Sequence, residues 1–194
     1  GSIAHVANWS RPDLAFAVSF VSQFMVNPGD KHMHMVDYIL GYLKNTRTLK
    51  FTFQQSNSKV VLLGLSYSDL GGCLDSRRSR TGYLFYLFGN IIAWQSRLRP
   101  SVSLSTAEAE YQALCAAAQF AVWCKKLVFD LGVEAVACVP CTILCDNKAS
   151  INMACSPVQH TRSRHVDAKL HWIKAAVRQL ILRVLFTKSA ENIS

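Results

Sequence analysis

The order in which the hydrophobic period changes along the chain leaves few folds open. From Val60 to Leu98 three strand-like runs follow one another, VVLLGLSYSD, GYLFYLFG and NIIAWQSRL, the last two meeting at Gly89-Asn90, a hairpin turn signal. From Ser105 to about Leu131 apolar residues recur at helical spacing instead, up to a stop at Gly132. A short strand CTILCD, a helix from about Asn147 to Ala154, a helical run RSRHVDAKLHWIKAAVRQ and a last strand LILRVLFTK complete the series. This order predicts a mixed α/β sheet covered by helices. Residues 1 to about 55 read as helical, with one helix from Pro12 to Asn27-Pro28-Gly29 and a second from an Asp30 cap to a basic end, paired as a helical hairpin. The division is therefore a helical segment over 1–55 and an α/β domain over 56–194.

Within SLSTAEAEYQAL, Glu108 and Glu110 are two residues apart and point in nearly opposite directions on a helix. Ser105 followed three residues later by Glu108 is a capping box, with the serine on the Glu108 amide and the glutamate reaching back to the serine amide. Glu110 begins the row that continues through Ala113, Leu114, Ala117 and Ala121, at the edge of the buried face. A charge there needs compensation. Asp69 and Asp146 each end an apolar strand, where ligands bind in open α/β sheets. Taken singly, each reads as a cap for the next turn; together the three anions repel one another unless divalent cations lie between them. Mg²⁺ suits such hard oxygen ligands.

Lys and Arg number 21 against 12 Asp and Glu, a formal charge of +9 and a pI near 9.4, which favours a polyanionic partner. Basic residues cluster as SRRSR, RLR, Lys125-Lys126 and TRSRH. A carboxylate cluster on a basic surface points to two-metal phosphodiester hydrolysis. No apolar run approaches the ~18 residues that cross a bilayer. Seven cysteines in apolar contexts read as reduced thiols; Cys138, Cys141 and Cys145 include a CxxC, but one lies in a strand and no second CxxC follows, which weighs against zinc. Trp94, Trp123 and Trp172 lie in apolar patterns and read as core.

The ordered motifs YSD, STAEAEYQAL, CDNKASI and RHVDAKLHWIK resemble the ribonuclease H domain of copia-type LTR retrotransposon polyproteins, and RPDLAFAVSFVSQFMVNPGDKHMHMVDYILGYLKNT is similar to the end of the reverse transcriptase in those polyproteins. The resemblance implies a ribonuclease H-like fold, a five-stranded mixed sheet with flanking helices and strands one to three antiparallel. It implies Mg²⁺- or Mn²⁺-dependent endonucleolytic cleavage of the RNA strand of RNA:DNA hybrids with two ions, and a reverse transcriptase or polyprotein context. The implied location is intracellular, in the cytoplasm, a virus-like particle or the nucleus.

Carried over residue by residue, the catalytic acids fall on Asp69, Glu110 and Asp146, which would hold the metals, with Asp167 as a fourth candidate beside His165. Asp167 has the alternative of anchoring its helix N-terminus. From position and charge rather than from the family, nucleic-acid contacts are expected at Arg77, Arg78 and Arg80 between the first two strands, where the alternative is a solvated loop, at Asn147 and Ser150 beside Asp146, and at Arg162 and Arg164 of the basic cluster TRSRH. Asn147 and Ser150 read equally well as helix-capping residues. Two departures stand out: SDLGGC is about two residues shorter than the family pattern, and the chain stops at TKSAENIS before the family's usual last aspartate, an expected C-terminal truncation. The alternative reading is a catalytically impaired, element-derived module that binds nucleic acid or protein; a third is a structural tether within a polyprotein.

Overall fold

The computed structural model describes residues 1–55, 61–73, 75–134, 138–155 and 164–188, the stretch 164–170 by its backbone alone. Arg162 and the residues after Lys188 lie outside the described residues.

The strands are β1 (Leu62–Asp69), β2 (Arg80–Leu87), β3 (Asn90–Leu98), β4 (Cys141–Cys145) and β5 (Leu182–Phe186). They form one sheet in the order β3-β2-β1-β4-β5. β1, β2 and β3 pair antiparallel, whereas β4 runs parallel to β1 and β5 parallel to β4. This is the ribonuclease H-like, five-stranded mixed sheet that the motifs imply. The helices α4 (Thr106–Asp130), α5 (Lys148–Cys155) and α6 (Arg164–Arg178) supply the crossovers, because parallel neighbours cannot be joined by a hairpin.

Strand alternation sorts the two faces of the sheet. Leu62, Phe85, Cys141, Ile143 and Leu182 pack with Tyr111, Leu114, Ala117, Ala118 and Ala121 of α4 and with Ile173 of α6 into the main core. Gly64 lies opposite Phe85 in the register, and a Cβ there would meet the Phe85 ring at 2.6 Å, so close packing of this aromatic requires glycine. α4 starts on the Ser105 cap, whose hydroxyl accepts from the Glu108 amide at 3.1 Å. The Glu108 carboxylate reaches back to the Leu104 amide at 2.9 Å, one residue earlier than a capping box predicts. Gly132, at φ +79, ends the helix in the left-handed conformation, with the Val133 amide returning to the Val128 carbonyl at 3.1 Å.

The opposite face carries the N-terminal segment, α1 (Ser2–Trp9), α2 (Ala15–Val21) and α3 (Asp30–Asn45). It has its own small core of Ala7, Leu14, Val18 and Ile39. Arg11 ties it together, chelating Asp13 (2.7 Å) and donating to the Thr46 hydroxyl (2.7 Å) and carbonyl (3.2 Å). The single helix expected from Pro12 is interrupted: 3-10 turns at Pro12–Leu14 and Ser22–Phe24 flank α2, where the Ser22 hydroxyl takes the Val18 carbonyl at 2.7 Å. The cap of α3 is Gly29 rather than Asp30, the His32 ring accepting from the Gly29 amide at 2.9 Å. The Trp94 indole donates to the Ala7 carbonyl at 2.8 Å, fastening this segment to β3.

The β2–β3 turn sits one residue before its expected place. Phe88 (φ +48) and Gly89 (φ +77) are its two central residues, both left-handed as a tight hairpin requires. An aromatic side chain pays steric strain there, whereas Asn tolerates the conformation. Phe88→Asn is expected to raise stability by about 1 kcal/mol, read as an increase in melting temperature of about 2–4 °C.

Candidate active site

The chemistry gathers where β1 and β4 run out. The β1–β4 pairing covers Leu63–Leu65 against Thr142–Leu144. Beyond it, the Ser68 amide of β1 donates to Glu110 Oε1 at 3.1 Å, so the carboxylate occupies the place a neighbouring strand would take. Glu110 is 3% exposed, and its second oxygen, Oε2, is buried with no hydrogen-bond partner. The capping argument singles out this glutamate from its neighbour Glu108, and the structure turns it inward.

A carboxylate oxygen of Glu110, one of Asp146 and the Cys145 sulfur lie within 4.8 Å of one another, the sole group of three potential metal ligands among the described residues. Burial first, then the negative field of Asp146, pushes the Glu110 carboxyl up to about 7, against the lowering effect of the Ser68 amide. Asp69 stands outside this close group. Asp69 is exposed and lies opposite Arg80 in the register. Burial and the fields of Asp69, Glu110 and Asp146 together raise the Tyr67 phenol, which places all three anions around one side chain. The shortened SDLGGC loop folds tightly, Gly71 taking φ +63, and any Cβ on Gly72 would overlap the Asp69 carboxylate.

The residues assigned to nucleic acid separate into groups. Arg77 and Arg78 are exposed beside the β1–β2 loop. Arg80 is 7% exposed; its guanidinium donates to the Ser19 hydroxyl and lies 5.3 Å over the Phe16 ring. It therefore docks the N-terminal segment, which corrects its reading as a surface phosphate contact. Asn147 Oδ1 accepts from the Ser150 amide at 3.0 Å, the geometry of a helix cap for α5. Ser150 has no exposed surface; it is the residue whose amide Asn147 caps, and its hydroxyl donates to the Asn147 carbonyl at 3.1 Å. Arg164 and Asp167 lie on the first turns of α6, their side chains outside the described residues. Lys125 is spent on the Val139 carbonyl at 2.8 Å. Trp123 and Trp172 are 57% and 38% exposed, so the expectation that apolar spacing buries them fails.

The residues fit a divalent cation. A buried carboxylate oxygen without a donor, beside a second carboxylate, is satisfied either by a proton held between the two or by a hard metal ion.

Among curated proteins, the retrovirus-related Pol polyprotein from transposon TNT 1-94 of Nicotiana tabacum is 37% identical over 192 residues, 99% of this chain and 14% of the polyprotein. The secreted RxLR effector protein 161 of Plasmopara viticola is 41% identical over 123 residues, 63% of this chain and 86% of that protein. The chain thus spans about a seventh of the tobacco polyprotein. Among solved structures, the foamy viral protease-reverse transcriptase dRH in complex with double-stranded DNA covers 96% of this chain and 30% of its own, at 9% identity and a TM-score of 0.50, a likeness of fold alone. LC11-RNase H1 in complex with an RNA/DNA hybrid covers 68% of this chain and 88% of its own, at 14% identity and a TM-score of 0.49. No family model matches.

Proposed function

The chain belongs to the Pol polyproteins of copia-type retrotransposons, and on that premise we propose that it is a ribonuclease H that cleaves the RNA strand of RNA:DNA hybrids. The observation that carries the proposal is Glu110, whose Oε2 is buried without a donor and which brings a carboxylate oxygen within 4.8 Å of one of Asp146. Glu110, Asp146 and Asp69 would hold two Mg²⁺ or Mn²⁺ ions, with Asp167 as the fourth acid. When bound, these ions supply activation of the attacking water and neutralisation of charge on the leaving oxygen.

The chain's own residues do the rest. The Ser68 amide fixes one oxygen of Glu110 and leaves the other without a donor. Gly72 leaves room for the Asp69 carboxylate. Exposed Arg77 and Arg78 take backbone phosphates of the hybrid, together with Arg162 and Arg164. The Asn147 cap holds α5 against the end of β4 and keeps Asp146 in place. Selection of RNA rests on contacts to 2′-hydroxyls across the minor groove.

The test is incubation of the chain with a hybrid labelled on either strand, in Mg²⁺ or Mn²⁺. Cleavage confined to the RNA strand supports the proposal; an intact RNA strand in both metals overturns it. A variant separates positioning of Asp69 from folding. Gly72→Ala displaces the Asp69 carboxylate, the end of a short exposed side chain, and is expected to weaken Mg²⁺ binding roughly tenfold or more. Its melting temperature in EDTA is expected to stay close to that of the parent, and titration of Mg²⁺ against thermal stability reads both.

A second reading is a non-catalytic binding module. Two observations favour it: Asp69 stands outside the compact Glu110–Asp146 group, and this chain covers 86% of a secreted effector's length. Millimolar Mg²⁺ discriminates, because it raises the melting temperature of a chain that retains its metal site and leaves a pure binding module unchanged.

A further inference from the structure

The acidic cluster contains a sulfur. β4 alternates so that Cys141, Ile143 and Cys145 face the core with no exposed surface, and Asp146 follows at the strand end. Cys145 Sγ thereby comes within 4.8 Å of oxygens of both Glu110 and Asp146. The thiol donates weakly to the Asn147 carbonyl at 3.9 Å and lies 4.0 Å from the Ser150 hydroxyl, contacts that a metal-bound thiolate would exchange for the ion; Mg²⁺ takes oxygen ligands while thiolates select softer ions. Glu110 is the second pointer, a side chain 3% exposed whose Oε2 has no hydrogen-bond partner and which brings a carboxylate oxygen into the cluster. One sulfur and two carboxylates make a three-ligand set that leaves a fourth position open, the ligand count of an accessible zinc site. Typical zinc–ligand lengths of about 2.0–2.3 Å require the three atoms to draw together by up to about 1 Å. Asp146 is half-buried and gives an ion a way in from solvent.

We propose, building on the nuclease reading of this site, that Glu110, Cys145 and Asp146 form a site for a single thiophilic divalent cation, Zn²⁺, which competes with Mg²⁺ and switches the centre off. Binding forms a zinc–sulfur bond and releases the thiol proton to solvent, with no change of oxidation state. The other cysteines join no comparable group among the described residues.

Cd²⁺ is the probe, since its bond to a thiolate gives an ultraviolet charge-transfer band. One equivalent of Cd²⁺ added to the reduced, metal-stripped chain is expected to give that band. Cys145→Ser removes it, and Cys124→Ser, which changes a core thiol elsewhere, keeps it. Glu110→Gln retains the sulfur and is expected to lower Cd²⁺ affinity roughly tenfold or more. A band that survives Cys145→Ser, arising from exposed Cys138 or Cys155, overturns the proposal. Should Cys145→Ser fail to fold, unchanged Cd²⁺ affinity in Glu110→Gln overturns it. Mn²⁺ binding followed by electron paramagnetic resonance keeps the two readings apart. Mn²⁺ bound without a Cys145-dependent Cd²⁺ band overturns the zinc site alone; Cd²⁺ bound without Mn²⁺ overturns the nuclease reading alone; neither ion bound overturns both.

Discussion

Asp146→Asn is expected to reduce cleavage of the RNA strand by at least about 10²–10³-fold at saturating Mg²⁺, the scale of losing one preorganised charge-stabilising group. The substitution keeps the shape of the side chain and removes its charge, so the end of β4 and the Asn147 cap of α5 stay in place. The loss then belongs to cation binding rather than to folding. Asp146 also contributes to the raised Glu110 carboxyl, so its removal lets Glu110 ionise more readily. Initial rates on a labelled hybrid, with melting temperatures recorded in EDTA and in Mg²⁺, read both effects. Cleavage within a few-fold of the parent would mean that the acids at the ends of β1 and β4 are not the reacting centre.

The second large effect concerns pH. The folded Glu110 carboxyl sits at about 7 against an ordinary 4.5, so between those values the folded chain holds a proton that the unfolded chain has released. Stability of the metal-free protein therefore falls as pH rises from about 4.5 to about 7, and the full penalty, about 3 kcal/mol, applies above that window. Glu110→Gln removes the titration, and its amide keeps an oxygen for the Ser68 amide while turning a donor toward Asp146. The variant is expected to show urea midpoints that no longer decline across this window, to exceed the parent by up to about 3 kcal/mol at pH 8 in EDTA, and to gain nothing from Mg²⁺. The parent should recover the deficit in Mg²⁺, because a cation offsets the buried charge. Parallel pH dependence in the two proteins would show that Glu110 is solvated and would remove the reason for placing a metal there.

These expectations rest on features that local sequence pattern reports well. The switch from alternation to helical spacing marks the five strands and α4, and the Ser105 cap with the inward row after it picks out Glu110, because both are short-range consequences of backbone geometry. The positions that sequence alone misplaced depend on partners far along the chain. Arg80 resembles its solvated neighbours Arg77 and Arg78 until Ser19 and Phe16, brought from the N-terminal segment, enclose it. Trp123 and Trp172 have apolar neighbours in sequence, yet α4 and α6 turn them outward. Cys145 groups in sequence with Cys138 and Cys141, whereas its cluster in the fold includes Glu110, brought to it by packing of α4 on β4. The hairpin turn moved by one residue because the strand register, including a shift between Phe85 and Tyr86, overrode the local preference for Gly-Asn at its centre.

Diffraction from crystals of the chain soaked in millimolar Mn²⁺, collected for the anomalous signal of manganese, bears most directly on the central claim. The account predicts two peaks roughly 4 Å apart, ligated by Asp69, Glu110 and Asp146. Manganese absent from this cluster, with Glu110 Oε2 still without a partner at a concentration that supports cleavage by other metal nucleases, would contradict it.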